Sequence, residues 1–322
     1  MIRHHRLLKL DEIGVTLALM VLVGLFAFST DDFMSLRTWG SITSFASVLG
    51  VLALGSTMLM IAGEFDLSVG SVAALTGMIF AMGTVQHGHN TYVMAGIALA
   101  VGAACGFLNG IITLTTRIPS FITTLGTMLI WRGVVLGVSG GFPISLAEDR
   151  SGVMLWFGTK LGEGFYSAVI WWGLLALFLT WLLKFHPFGN HVLATGGNPT
   201  AARSMGVNTT KIKLICFTLS GTMAALAGLV LFSELQDLSP TAGEAYELYG
   251  IAAAVIGGTA LTGGRGTLIG TVMGTLLIGV VQSGLVHAGI DSYWFRCLVG
   301  VLLVVAVIIN MQLKIFVGLE RK

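Results

Sequence analysis

Six polar or ionisable residues stand inside, or at the edge of, long apolar stretches, and their chemistry is that of holding or passing a polar solute. Asn109 and Gln282 are neutral amides deep in apolar runs, suited to hydrogen-bonding a hydroxylated solute on a translocation path or, equally, to joining helices. Arg132 lies about two-thirds of the way along another run, either on the same path or snorkelling to the interface, and Arg296 stands near the start of the last run. Glu64 and Asp66 occur where one apolar run gives way to the next, in a turn that also holds Gly63, Ser68 and Gly70. If that break is a surface turn, both carboxylates are simply solvated. If it is re-entrant, Asp66 caps the following helix through the free amides of Ser68 and Val69, and we adopt the cap. No Gly-x-x-x-x-Gly-Lys-Ser/Thr phosphate loop and no His-Glu-x-x-His zinc helix occurs. No serine sits in a nucleophile elbow, and His87 and His89 read as solvated residues of a short turn. No catalytic residue and no metal ligand is therefore assigned, and the chain has no nucleotide site of its own to power an uphill step.

One hydrophilic segment, 184–213, offers a docking place for another chain. It carries Lys184, Arg203, Lys211 and Lys213 and no acid. Its centre, GNHVLATGGNPTAARSMGV, predicts a short capped helix. Asn198 is the N-cap, Pro199 the first helical residue, Ala201 to Met205 the body and Gly206 the left-handed stop. The small side chains of Ala201, Ala202 and Ser204 permit close approach of a partner, Arg203 adds a directed polar contact, and Gly197 and Gly206 allow the chain to reverse at either end.

These residues must be positioned by membrane spans. Hydrophobic residues make up 55% of the 322 and charged ones only 10%, where a soluble domain carries about 25% charge; the mean hydropathy is +0.90. Ten runs approach the ~20 residues that cross a bilayer, at roughly 13–30, 41–62, 67–85, 93–114, 118–138, 165–183, 214–233, 248–264, 266–287 and 294–313. The first reads as an uncleaved anchor and not a signal peptide, because nine spans follow it. With both termini inside, twelve basic residues are cytoplasmic: Arg3, Arg6, Lys9, Arg117, Lys184, Arg203, Lys211, Lys213, Arg265, Lys314, Arg321 and Lys322. Only three, Arg37, Arg150 and Lys160, are outside, which fixes the orientation. The outer loop after span seven is the mirror case, with Glu234, Asp237, Glu244 and Glu247 and no base. The expectation is an all-α, polytopic protein of the bacterial inner membrane forming one permease domain over 1–322. The net charge of +2 gives no argument for a nucleic-acid partner.

Glycine, 44 of 322 residues, is about double its usual ~7%, and its crowding from Gly250 to Gly274 predicts that spans eight and nine are tightly packed or locally unwound. Faint internal symmetry is visible. IAGEFDLSVGS (61–71) resembles IGGTALTGGRG (256–266), and GFLNG (106–110) resembles GVVQSG (279–284), although the two matches do not share one offset. Interrupted segments at matching places point to a transport path.

Five motifs occur in order: GEFDLSVGSVAALTG (63–77), PSFITTLGTMLIWRG (119–133), ATGGNPTAARSMGV (194–207), SGTMAALAG (220–228) and IGGTALTGGRGTLIGT (256–271). Together they resemble the permease subunit of the ribose/xylose-type sugar importers of the ATP-binding-cassette superfamily, across about residues 40–310. One departure is Glu64, where that family usually has a second glycine. The resemblance implies ten spans with pseudo-symmetric halves and pairing with a second permease copy, identical or related. It implies delivery of a sugar or polyol by a periplasmic binding protein. It also implies docking of a cytoplasmic ATPase on the loop between spans six and seven, so that ATP is hydrolysed by the partner and no cofactor is bound by this chain. An ion-coupled secondary transporter is the alternative, and only Glu64 and Asp66 could serve it.

Overall fold

The computed structural model describes residues 2–147, 149–291 and 293–316, with side chains given for 14–308 apart from 148 and 292. Glu148, Arg321 and Lys322, and the side chains of Arg3, Arg6, Lys9 and Lys314, fall outside that description. Among the described residues there are thirteen α-helices: α1 Ile2–Ser29, α2 Leu36–Ile61, α3 Val69–Ala81, α4 Thr91–Thr116, α5 Ser120–Ser139, α6 Val153–Gly158, α7 Ala168–Phe185, α8 Pro187–Gly197, α9 Pro199–Ser204, α10 Thr209–Leu235, α11 Tyr246–Ile256, α12 Leu268–His287 and α13 Trp294–Phe316. A π-helical turn, Met82–Gln86, extends α3, and a small sheet pairs Ile144–Ser145 antiparallel with Asp237–Leu238.

Among the described residues, seven helices are long and apolar enough to cross a membrane: α2, α3 with its π turn, α4, α5, α7, α10 and α12. Shorter apolar stretches lie in α1, α11 and α13. The run expected at 248–264 is shorter than a span, because α11 ends at Ile256. The reason is local. Gly258 at φ +91° donates to Val255 O at 2.9 Å and Thr259 donates to Ala254 O at 2.9 Å, which closes a left-handed helix stop. Eleven residues rise only about 16 Å, roughly half of a hydrocarbon core.

Helix seams are built on small residues that let backbones approach. α4 and α10 run in opposite directions, with Gly102 facing Gly221 and Ala225 and Gly110 facing Leu214. α12 runs against α2, where Thr57 and Thr271 share a hydroxyl contact of 2.8 Å and Gly279 meets Ile42 and Ala46. α3 lies along α10 in the same direction, Phe80 edge-on to Phe232, and α11 lies along α2 likewise, Tyr246 edge-on to Phe45. Where α10 ends, the buried Glu234 accepts hydrogen bonds from Ser44 and Ser47 of α2, and Arg150 donates to the carbonyls of Ser233 and Glu234 at 2.6 Å each.

Candidate functional site: two helix interruptions and a capped surface helix

The first interruption, residues 62–68, follows α2. Gly63 has φ +85°, and the stop repeats the pattern at Gly258: Gly63 donates to Met60 O at 2.9 Å and Glu64 to Leu59 O at 3.2 Å. Beyond it the chain is extended, and irregular backbone among membrane helices must find its hydrogen bonds inside the protein. It does so on α5: Phe65 N–H donates to Ser120 Oγ at 3.1 Å and Leu67 N–H to Thr124 Oγ1 at 3.0 Å. The alternation of an extended segment turns Asp66 to the other side. There its Oδ1 accepts from Ser68 N–H at 2.8 Å and Ser68 Oγ at 2.6 Å. Asn109 of α4 completes the cluster, its Nδ2 donating to Ser68 Oγ at 2.8 Å and lying 3.4 Å from both Asp66 oxygens.

The second interruption, residues 236–245, follows α10 and ends in two left-handed residues, Gly243 and Ala245, before α11 begins. Arg132 of α5 holds it: its Nη1 donates to Pro240 O at 2.8 Å and Ala242 O at 2.9 Å. The starts of α3 and α11 then meet. A Cβ on Gly70 would strike the Gly243 carbonyl and the Glu247 carboxylate, so the approach of the two helix ends requires glycine there.

Several sequence expectations change against this geometry. Asp66 does meet Ser68, but Val69 N–H is not among its partners, so it closes the turn just ahead of the helix. Glu64 is not a free surface carboxylate: it pairs with Lys213 at 2.5 Å, its side chain 14% exposed. Asn109 is fully buried, its Nδ2 engaged by Ser68 and Asp66 while its Oδ1 has no partner. Arg132 is half-buried, and its guanidinium is bound to the second interruption through two carbonyls. Gln282 is half-buried with Oε1 lacking a partner, and the structure does not bring it to Asn109's cluster. The roles of Ser120 and Thr124 went unread, because hydroxyls accepting from remote amides leave no mark in local sequence.

The segment 184–213 holds two helices where one was expected. α8 was missed: His186 Nδ1 accepts from Phe188 N–H at 3.1 Å, Pro187 follows at the first helical position, and Gly196 packs against Ile61 and Gly264. His-Pro before a stretch ending in Gly-Gly was the available signal. α9 has the expected cap, Asn198 Oδ1 accepting from Ala201 N–H at 3.0 Å, and Gly206 has φ +85°. Gly197, however, is the last helical residue of α8, and the reversal falls on Asn198 at φ −152°. Ala201, Arg203 and Ser204 are exposed, whereas Ala202 is turned inward at 5% exposure. Arg203 Nε donates to Thr209 Oγ1 at 2.7 Å, tying α9 to the first residue of α10.

Comparison with known proteins points to a membrane permease. The family model for the branched-chain amino acid transport system / permease component matches residues 39–307. The ribose import permease protein RbsC of Escherichia coli (strain K12) is 36% identical over 295 residues, covering 91% of this chain and 92% of the relative. RbsC of Bacillus subtilis (strain 168) is 33% identical over 301 residues, covering 94% and 93%. The autoinducer 2 import system permease protein LsrC of Photorhabdus luminescens is 34% identical over 308 residues, covering 94% and 90%. No solved structure matches the chain. With interrupted apolar helices at its centre and a family match across most of its length, this chain belongs to the permease-component family, and it is a transporter subunit and not itself an enzyme.

Proposed function

We propose that this chain is the membrane-spanning subunit of an ATP-driven importer of a sugar or polyol, working with a cytoplasmic ATPase, a periplasmic binding protein and a second permease copy. The relatives named for ribose and for autoinducer 2 import support a small hydroxylated solute. The observation that carries the coupling role is the exposed, capped helix α9 with Ala201, Arg203 and Ser204 outward, joined to α10 through Thr209. On this reading ATP is bound and hydrolysed by the partner, and this chain needs no cofactor of its own.

The helices fall into two units of opposite orientation, α2–α5 and α10–α13. α10 supports α3 and α4 as α2 supports α11 and α12, with matching parallel and antiparallel senses. Leu36 and Thr209, the starts of α2 and α10, are separated by the same number of residues as Gly106 and Gly279, which makes the GFLNG and GVVQSG resemblance part of this repeat. The resemblance of 61–71 to 256–266 has another origin, since both stretches close a helix with the same left-handed glycine stop. Inverted repeats with interrupted helices are a common transporter plan. Ten spans with cytoplasmic termini follow if α1, α11 and α13 join the seven long helices. A reporter active only outside the inner membrane is expected to be active near Glu148 and silent after Lys322; activity at Lys322 overturns the topology.

A cysteine at Ser204 is the test of coupling. It is expected to crosslink to the ATPase and not to the binding protein, and the reverse result overturns the assignment. Ion coupling is disfavoured because Asp66 and Glu64 already have close partners in Ser68, Asn109 and Lys213. Uptake lost on adding an uncoupler but indifferent to ATP depletion would favour it.

A further inference from the structure

Arg203 to Thr209 is the first link of a longer chain of contacts. One turn further along α10, Lys213 Nζ lies 2.5 Å from Glu64 Oε1, and the two side chains are only 16% and 14% exposed. Glu64 is the residue directly after the left-handed Gly63, and it leads into Phe65, Asp66 and Leu67, whose bonds to Ser120, Ser68 and Thr124 fix the entry to α3. Two side-chain contacts and one helical turn therefore connect the outward face of α9 to the first interruption. We propose that Lys213 and Glu64 are positioning residues that transmit displacement of α9 to residues 62–68, so that the ATPase moves the interruption through α10.

Three observations carry this. First, the pair is shielded: exposed ion pairs contribute little and are screened by salt, as expected for Arg296 and Glu244, 3.6 Å apart with side chains 68% and 61% exposed. A short, half-buried contact holds its geometry where such a pair does not. Second, the neighbouring contacts come from other elements. The Gly264 amide donates to Ile61 O at 2.8 Å, and Gly196 and Gly263 pack on Ile61 and Gly63, at the end of α2. The residues beyond are held from α5 by Ser120 and Thr124 and from α4 by Asn109, so the link from α10 to this segment is Lys213 to Glu64. Third, the interruption has room to move while attached. A cavity of about 680 Å³ lies beside the pair, lined by Glu64, Thr113, Arg117, Ser120, Arg203 and Thr210 among others.

The proposal rests on α9 being the ATPase docking helix, and the test separates the two. The permease–ATPase complex is trapped with ATP and vanadate, and hydrogen exchange is followed at the amides of Phe65 and Leu67. The wild-type complex is expected to change its exchange there on trapping. Lys213→Met and Glu64→Gln should each diminish that response about fivefold or more, the lower range of allosteric coupling. The charge swap, Glu64→Lys with Lys213→Glu, should restore it, and the exchange of the untrapped complex at these amides should be the same in wild type and single variants, which a merely structural role for the pair would not predict. A wild-type complex with no response at 62–68, single variants that respond like wild type, or a swap that fails to rescue would each overturn the proposal. If a cysteine at Ser204 still crosslinks to the ATPase in that event, only the relay falls; if it does not, the docking assignment falls with it.

Discussion

Asn109 and Ser68, 41 positions apart in sequence, are joined by a 2.8 Å hydrogen bond, and through it α4 holds the residue from which α3 starts. Ser68 accepts from Asn109 and donates to Asp66, so the three side chains form one buried network in which each bond orients the next.

Asp66→Ala removes the acceptor of both the Ser68 amide and its hydroxyl, and a buried donor left unsatisfied costs about 1–3 kcal/mol. A lower apparent melting temperature of the purified protein is expected, with Asp66→Asn retaining most of the stability. Equal stability of both variants together with loss of uptake would assign Asp66 to the solute path instead.

Asn109→Leu is expected to lower stability as well as uptake, because it strips Ser68 of a partner inside the protein. Gln282→Leu should leave stability nearly unchanged, since Oε1 of Gln282 has no partner to lose. Thermal unfolding of the two single variants measures the difference.

Gly70→Ala should disrupt the junction of α3 and α11, where no space exists between Gly70 and the Gly243 carbonyl. Gly126→Ala and Gly133→Ala on α5 are the controls, as a Cβ at either meets nothing within 4 Å. Reduced yield and stability confined to the first variant is the expected outcome.

Arg132→Met deletes two bonds to backbone carbonyls, each charge-assisted and worth about 1.5–3 kcal/mol. Faster hydrogen exchange limited to 237–245 is expected. Exchange unchanged in that loop would show that Pro240 and Ala242 do not depend on the guanidinium.

Ala201→Trp, on the exposed side of α9, should abolish ATPase coupling with little change in thermal stability. Ala202→Trp should instead destabilise the protein, because Ala202 faces inward. A stable, fully active Ala201→Trp variant would remove this face of α9 from the docking surface.

The elements that local chemistry determines were legible. Asn198, Pro199 and Gly206 bound α9 whatever surrounds them, since cap, fixed φ and left-handed stop act within one turn. Apolar run lengths similarly located the long helices. The interruptions were not resolved, because Asp66 as a cap and Asp66 as a solvated surface group differ only in what Asn109 and α5 contribute from afar. α8 was hidden by polarity: its sequence reads as a loop until Gly196 is seen packed on Ile61 and Gly264. Arg132 was noticed as costly in an apolar run, but its acceptors are carbonyls, which any sequence would offer.

α5 carries the hydrogen-bond partners of both interruptions, Ser120 and Thr124 for the first and Arg132 for the second. The two interruptions thus share one anchor, and a shift of α5 bears on both at once, through two hydroxyls and a guanidinium.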